Sequence, residues 1–120
     1  SSADVESYLK LKYFGQEHES FDVMFLTAQH GLIELKQMFN GTIDGAAVYP
    51  REVVKAALKF NAAAVVLAHN HPSGECTPSQ SDKILTAKLV DALSLVDVRV
   101  LDHFIIGEGR PYSFAENGLL

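Results

Sequence analysis

Seven consecutive apolar residues, Ala62 to Ala68, constrain this chain more than any other feature. The run is of strand length, and its side chains are apolar at odd and even positions alike, so neither face suits water. It predicts a strand buried on both sides, which needs cover above and below. The flanking sequence has the pattern to provide that cover. Pro50 stands at a natural helix start, and Val53, Val54, Ala57, Leu58 and Phe60 follow at helical spacing as far as Asn61. From Ser79 to Val96 the positions of Ile84, Leu85, Ala87, Leu89, Val90, Leu93 and Leu95 predict a second helix. Val98 to Ile106 reads as a strand, residues 107–110 as a turn, and Tyr112 opens a short closing strand. Ser113 and Glu116 have capping-box spacing for a last helical turn.

Upstream, residues 4–13 read as a short helix ended by Gly15, and Phe21–Leu26 and Leu32–Phe39 as a hairpin around Gln29-His30-Gly31. A loop over Gly41–Gly45 leads to a short strand near Ala46–Tyr49. A hairpin beside helix-linked strands makes the sheet mixed. The expected class is α/β, a mixed β-sheet flanked by helices, with residues 1–15 as a helical lead-in and 16–120 as a single domain.

With 120 residues, 48% apolar and 21% charged, the chain has the balance of one globular domain. No apolar run approaches the roughly 18 residues of a membrane span, and no signal-peptide pattern opens the chain. The single cysteine, Cys76, excludes an internal disulfide and a multi-cysteine metal site, so a cytoplasmic setting is expected. Fifteen acidic residues against ten basic ones give a net charge of -5, and the bases are scattered. Binding to a phosphate backbone draws on a concentrated positive face, so the charge argues against a nucleic-acid partner.

The chemistry is concentrated between Ala68 and Asp82. His69 and His71 follow the apolar strand two residues apart. In extended chain, side chains at i and i+2 share one side with Cα atoms about 6.5–7 Å apart, close enough for two imidazoles to meet on one ion. Eleven residues beyond His71, after a loop with prolines and a glycine, Asp82 falls in the first turn of the next helix. Two imidazoles and a carboxylate suit Zn²⁺ and leave a fourth position for water. The bland reading stands beside this one: Ser79 and Asp82 also fit a structural helix cap, and both roles can coexist.

His69-x-His71, then seven residues, Ser79, two residues and Asp82 resembles the JAMM (MPN-type) metalloprotease motif. The string His69-Asn70-His71-Pro72-Ser73-Gly74, with Pro50-Arg51-Glu52-Val53 upstream and Arg99-Val100-Leu101-Asp102-His103 downstream, resembles the RadC family over almost the whole chain from Phe21 onward. The resemblance implies a cytidine-deaminase-like sandwich carrying zinc on His69, His71 and Asp82, with Ser79 bonding the substrate carbonyl oxygen. It also implies a general acid/base glutamate near the start of the first core strand. Glu19 is best placed, with Glu17 as the alternative, while Glu52 is explained by its place at a helix start. Asn70 departs from the Ser or Thr that many JAMM enzymes carry there. Family members often have an N-terminal helix-hairpin-helix segment that is missing here, which implies a piece of a longer protein.

Three functions compete: a zinc peptidase or isopeptidase acting on a protein or peptide, a DNA-repair module, and a protein-interaction module with a catalytically silent metal site. A nucleobase deaminase would need His-x-Glu and Pro-Cys-x-x-Cys, which are absent. Cys76, His103, His18 and His30 read as structural, and Ser73-Gly74 as shaping the loop.

Overall fold

The computed structural model describes residues 2–41 and 48–120. Along the chain run α1 (Ser2–Tyr13), β1 (Glu19–Leu26), β2 (Leu32–Gly41), α2 (Pro50–Lys59), β3 (Ala64–Asn70), α3 (Gln80–Ser94), β4 (Arg99–Ile106) and β5 (Tyr112–Ser113). The strands form one sheet in the order β2-β1-β3-β4-β5. β3 and β4 are parallel and joined through α3, and the other neighbours are antiparallel. The class is α/β with a mixed, helix-flanked sheet, as the sequence implies.

All seven residues of the middle strand, β3, are buried. Parity sorts the side chains. Phe21, Val23 and Phe25 of β1 and Val65 and Leu67 of β3 pack with Val53 and Ala57 of α2 and Leu85, Leu89 and Leu93 of α3. Met24, Leu26, Val66, Ala68 and Phe104 face the other way, in the cluster that holds Leu9 and Tyr13 of α1. Odd positions of β1 and β3 therefore look toward α2 and α3, and even ones toward α1. Each fully buried Leu or Phe contributes about 1.5–3 kcal/mol.

Helix α1 is tied down by polar contacts as well. The Tyr13 phenol donates to Asp22 Oδ2 at 2.5 Å, while Ser20 Oγ donates to Oδ1 at 3.0 Å. Burial pushes the Tyr13 pKa up, so the phenol keeps its proton. At the surface, Arg110 bridges Glu6 and Glu116.

The boundaries differ from the sequence reading in one place that matters. β3 starts and ends two residues later than the apolar run. Asn61 turns in the left-handed region with φ 52°, and the Ala62 N–H bonds back to the Ala57 carbonyl, so the first alanines complete the turn. At the far end the ladder continues, with Phe21 opposite His69 and Asn70 opposite Ile106. His69 and Asn70 thus belong to the strand rather than to the loop. Of the strand expected near Ala46–Tyr49, the first two residues lie outside the described residues, and Val48 and Tyr49 lead into α2 without strand pairing. The Glu116 N–H does donate to Ser113 Oγ at 3.1 Å, but turns follow instead of a helix. Among the described residues, no helix is long and apolar enough to cross a membrane.

Candidate metal centre

Parity delivers His69 to the α3 side of the sheet. His71 is the next odd position, just past β3, where its N–H bonds to the Ile106 carbonyl at 2.8 Å. Asp82 arrives from the first turn of α3. Ser79 caps that helix: its Oγ accepts from the Asp82 N–H at 3.0 Å, and Asp82 Oδ2 accepts from the Ser79 N–H at 2.8 Å. The structural cap is present, and it also fixes the carboxylate where the histidines meet it.

His69 Nε2 lies 3.0 Å from His71 Nε2 and 3.2 Å from Asp82 Oδ1, and His71 Nε2 lies 3.3 Å from Asp82 Oδ2. Donors held at about 2.0–2.1 Å by a tetrahedral ion stand about 3.3–3.4 Å apart. The three separations are close to that spacing, with Asp82 meeting His69 through Oδ1 and His71 through Oδ2. Two imidazoles and a carboxylate are a donor set for a small divalent metal, and these three residues could hold one. Burial opposes ionisation of Asp82, yet hydrogen bonds with His69 and His71 outweigh it and hold the carboxyl well below its usual range. The bond to Asp82 also raises the pKa of His71, against a smaller lowering by burial.

The two histidines are braced from behind. His71 Nδ1 sits 2.8 Å from the Glu75 carbonyl. His69 Nδ1 sits 2.9 Å from His103 Nε2, and His103 Nδ1 is 2.6 Å from Thr86 Oγ1. His103 is fully buried, which pushes its pKa well below the ordinary value and keeps it neutral. Phe21 stacks on His69 with ring centroids 5.7 Å apart, and Phe114 on His103 at 4.5 Å.

Glu19 opens β1. The β1–β3 ladder ends with Phe21 opposite His69, and Glu19 lies two residues earlier in β1, at the end of the sheet where His71 follows β3. Its charge contributes to the raised pKa of His71. Glu17 lies ahead of the strand and is exposed. Asn70, at an even position, turns to the opposite face. Its Oδ1 accepts from the Ser20 N–H at 2.7 Å and its Nδ2 donates to the His18 carbonyl at 3.0 Å. These two backbone groups flank Glu19, so the residue between the histidines clamps the strand start that carries the carboxylate.

The remaining candidates fall elsewhere. Glu52 sits in the first turn of α2 beside Arg51 and Lys55. Cys76 is half-buried, with its thiol donating to the Glu108 carbonyl at 3.4 Å, and burial raises its pKa. His30 occupies the hairpin turn with φ 67°. Ser79 Oγ acts as an acceptor in its cap and so keeps its own hydrogen for donation. Sequence reasoning missed the place of His103 and Thr86: the partner of His103 is a candidate ligand. Thr86 stands four residues after Asp82 on one helix face, a spacing that could have pointed to it.

The RadC-like JAB domain family model matches residues 1–119. A UPF0758 protein of Vibrio cholerae serotype O1 is 60% identical over 113 residues, covering 94% of this chain and 71% of that protein. UPF0758 proteins of Stutzerimonas stutzeri and a Marinomonas species are each 58% identical, over 95% and 100% of this chain. The chain spans about half the length of these last two, 51% and 54%. Their names state no activity. The family match over nearly every residue, on a fold that brings the His-x-His strand end to the helix-start Asp, shows that this chain belongs to the RadC family of JAB domains.

Proposed function

We propose that this domain is a zinc-dependent hydrolase of amide bonds, a peptidase or isopeptidase acting on a protein or peptide. The observation that supports it is the convergence of His69, His71 and Asp82 on one point with Glu19 alongside. Catalytic zinc sites use three protein donors where structural sites use four, and this donor set suits zinc. Bound there, Zn²⁺ would supply Lewis acidity, lowering the pKa of water toward about 7 and polarising a carbonyl.

The protein groups have separate tasks. His69, His71 and Asp82 hold the ion. Glu19 accepts the proton of the attacking water and returns it to the leaving amine. The Ser79 hydroxyl donates to the carbonyl oxygen as it gains negative charge.

The test is cleavage profiling of the zinc-loaded full-length protein against proteome-derived peptides, with Glu19→Gln and a chelator as controls. New chain ends are expected from the parent alone. If the parent generates none beyond those seen with Glu19→Gln, the hydrolase reading fails and a metal-holding interaction module replaces it.

A further inference from the structure

We infer that β2 is a docking edge for a second copy of this chain, the two β2 strands pairing antiparallel about a two-fold axis at Leu35. The edge is separated from the donor-bearing strand β3 by β1, so this pairing does not depend on the function proposed above.

β2 is the outermost strand of the sheet. It pairs with β1 along one side and, among the described residues, with no strand along the other. Such an edge presents backbone N–H and C=O groups that a further strand can take up. Irregularities in the β1 pairing fall near both ends of β2, and between them Glu34–Gln37 run in regular register opposite Phe25–Asp22. Side chains alternate along this stretch. Leu35 packs with the cluster on the α1 side of the sheet, while Glu34 and Lys36 lie on the other face and are exposed. Neither charge has an ion-pair or hydrogen-bond partner among the described residues.

Symmetry and charge together select one register. With a two-fold axis normal to the sheet, one residue meets its own copy and its neighbours meet each other crosswise. An axis at Glu34 would set two carboxylates opposite each other, and one at Lys36 two ammonium groups, and like charges directly opposite are destabilising. An axis at Leu35 sets Glu34 opposite Lys36 of the second copy and Lys36 opposite its Glu34, with Cβ atoms about 4.5–5.5 Å apart. This register alone pairs both charges. On the other face Leu35 meets its copy, and Ile33, 37% exposed in the single chain, comes opposite Gln37. A lone edge lysine keeps other strands away. With Glu34 two residues earlier, Lys36 admits its own copy and repels the neighbouring registers. Gly41, at the end of β2, pairs with Glu19, so the antiparallel join places the two donor sets at opposite ends of the combined sheet.

The test is sedimentation equilibrium of the intact protein over chain concentrations reaching about 1 mM. A monomer–dimer equilibrium is expected for the parent. Glu34→Lys and Lys36→Glu each turn both opposite-charge pairs into like-charge pairs, and each is expected to dimerise at least about tenfold more weakly. Mixing these two variants restores both pairs, so a heterodimer of parent-like affinity is expected. The double exchange, Glu34→Lys with Lys36→Glu, is expected to match the parent. Both side chains are exposed, so all variants should keep the parent's circular dichroism. A parent that stays monomeric throughout overturns the inference. So do single variants that dimerise as tightly as the parent, or a mixture that fails to recover, since association would then run through another surface.

Discussion

Replacing Asn70 with alanine separates the metal donors from the carboxylate beside them. The change removes two hydrogen bonds, at 2.7 Å from the Ser20 N–H and at 3.0 Å to the His18 carbonyl. Each contributes about 0.5–1.5 kcal/mol net, and an unpaired buried N–H costs about 1–3 kcal/mol. Ser20 is only 2% exposed, so its N–H gains little from water once the clamp is gone. The expected destabilisation is about 2–4 kcal/mol, or roughly 10 °C in Tm for a domain of this size. Faster amide exchange should be confined to the start of β1. Under the proposed mechanism Glu19 loses its fixed approach, and a displacement of about 1 Å lowers turnover on the order of 100-fold. Zinc affinity should hold, because Asn70 points away from the face that carries His69 and His71. The reasoning is refuted if Ser20 exchange and Tm are unchanged in Asn70→Ala. It is equally refuted if zinc affinity falls in step with turnover, since Asn70 would then act through the histidines.

Further outcomes follow from the same geometry. Glu19→Gln should lower turnover by about 10²–10⁴-fold with zinc content unchanged, as measured by metal analysis of the purified variant. In metal-free protein, the raised pKa of His71 contributes stability that is present below its unfolded value of 6.5 and is lost as pH rises through the folded value. With zinc bound the trend reverses, because a protonated His71 cannot ligate, and melting curves with and without a chelator should cross over in sign. Asp102 accepts from the His103 and Ala115 N–H groups and from Ser113 Oγ, so Asp102→Ala should lose about 3–5 kcal/mol in denaturant titrations. Leu67→Ala, at a fully buried position of β3, should lose about 2–5 kcal/mol in the same assay while retaining zinc stoichiometry.

What the sequence revealed and what it hid divide along chain separation. Ala62–Ala68 announces the middle strand because burial on both faces is written locally, in side-chain type. Its ends are not, since they depend on the turn at Asn61 and on pairing with β1 and β4, and no apolar pattern marks a ladder running through His69 and Asn70. The donor triangle was legible for the same local reason: two donors alternate on one strand end, and the third occupies a cap position at fixed offset. His103 lies 34 residues from His69, and Asn70 lies 50 from Ser20. Only the register of the sheet brings such pairs together, so a histidine in a strand and an amide between two histidines give no sign of their partners.

Gly107 follows β4 so close to the backbone of Gly74 that a Cβ there would collide with the Gly74 carbonyl. Across this seam the Glu108 N–H bonds to the Gly74 carbonyl at 2.9 Å and the His71 N–H to the Ile106 carbonyl at 2.8 Å. The loop beyond β3 is thus riveted to the exit of its neighbouring strand. Even a methyl group at position 107 would force this seam apart, and with it the loop whose Glu75 carbonyl holds His71 Nδ1, so a residue far from the donors in sequence governs how one of them is held.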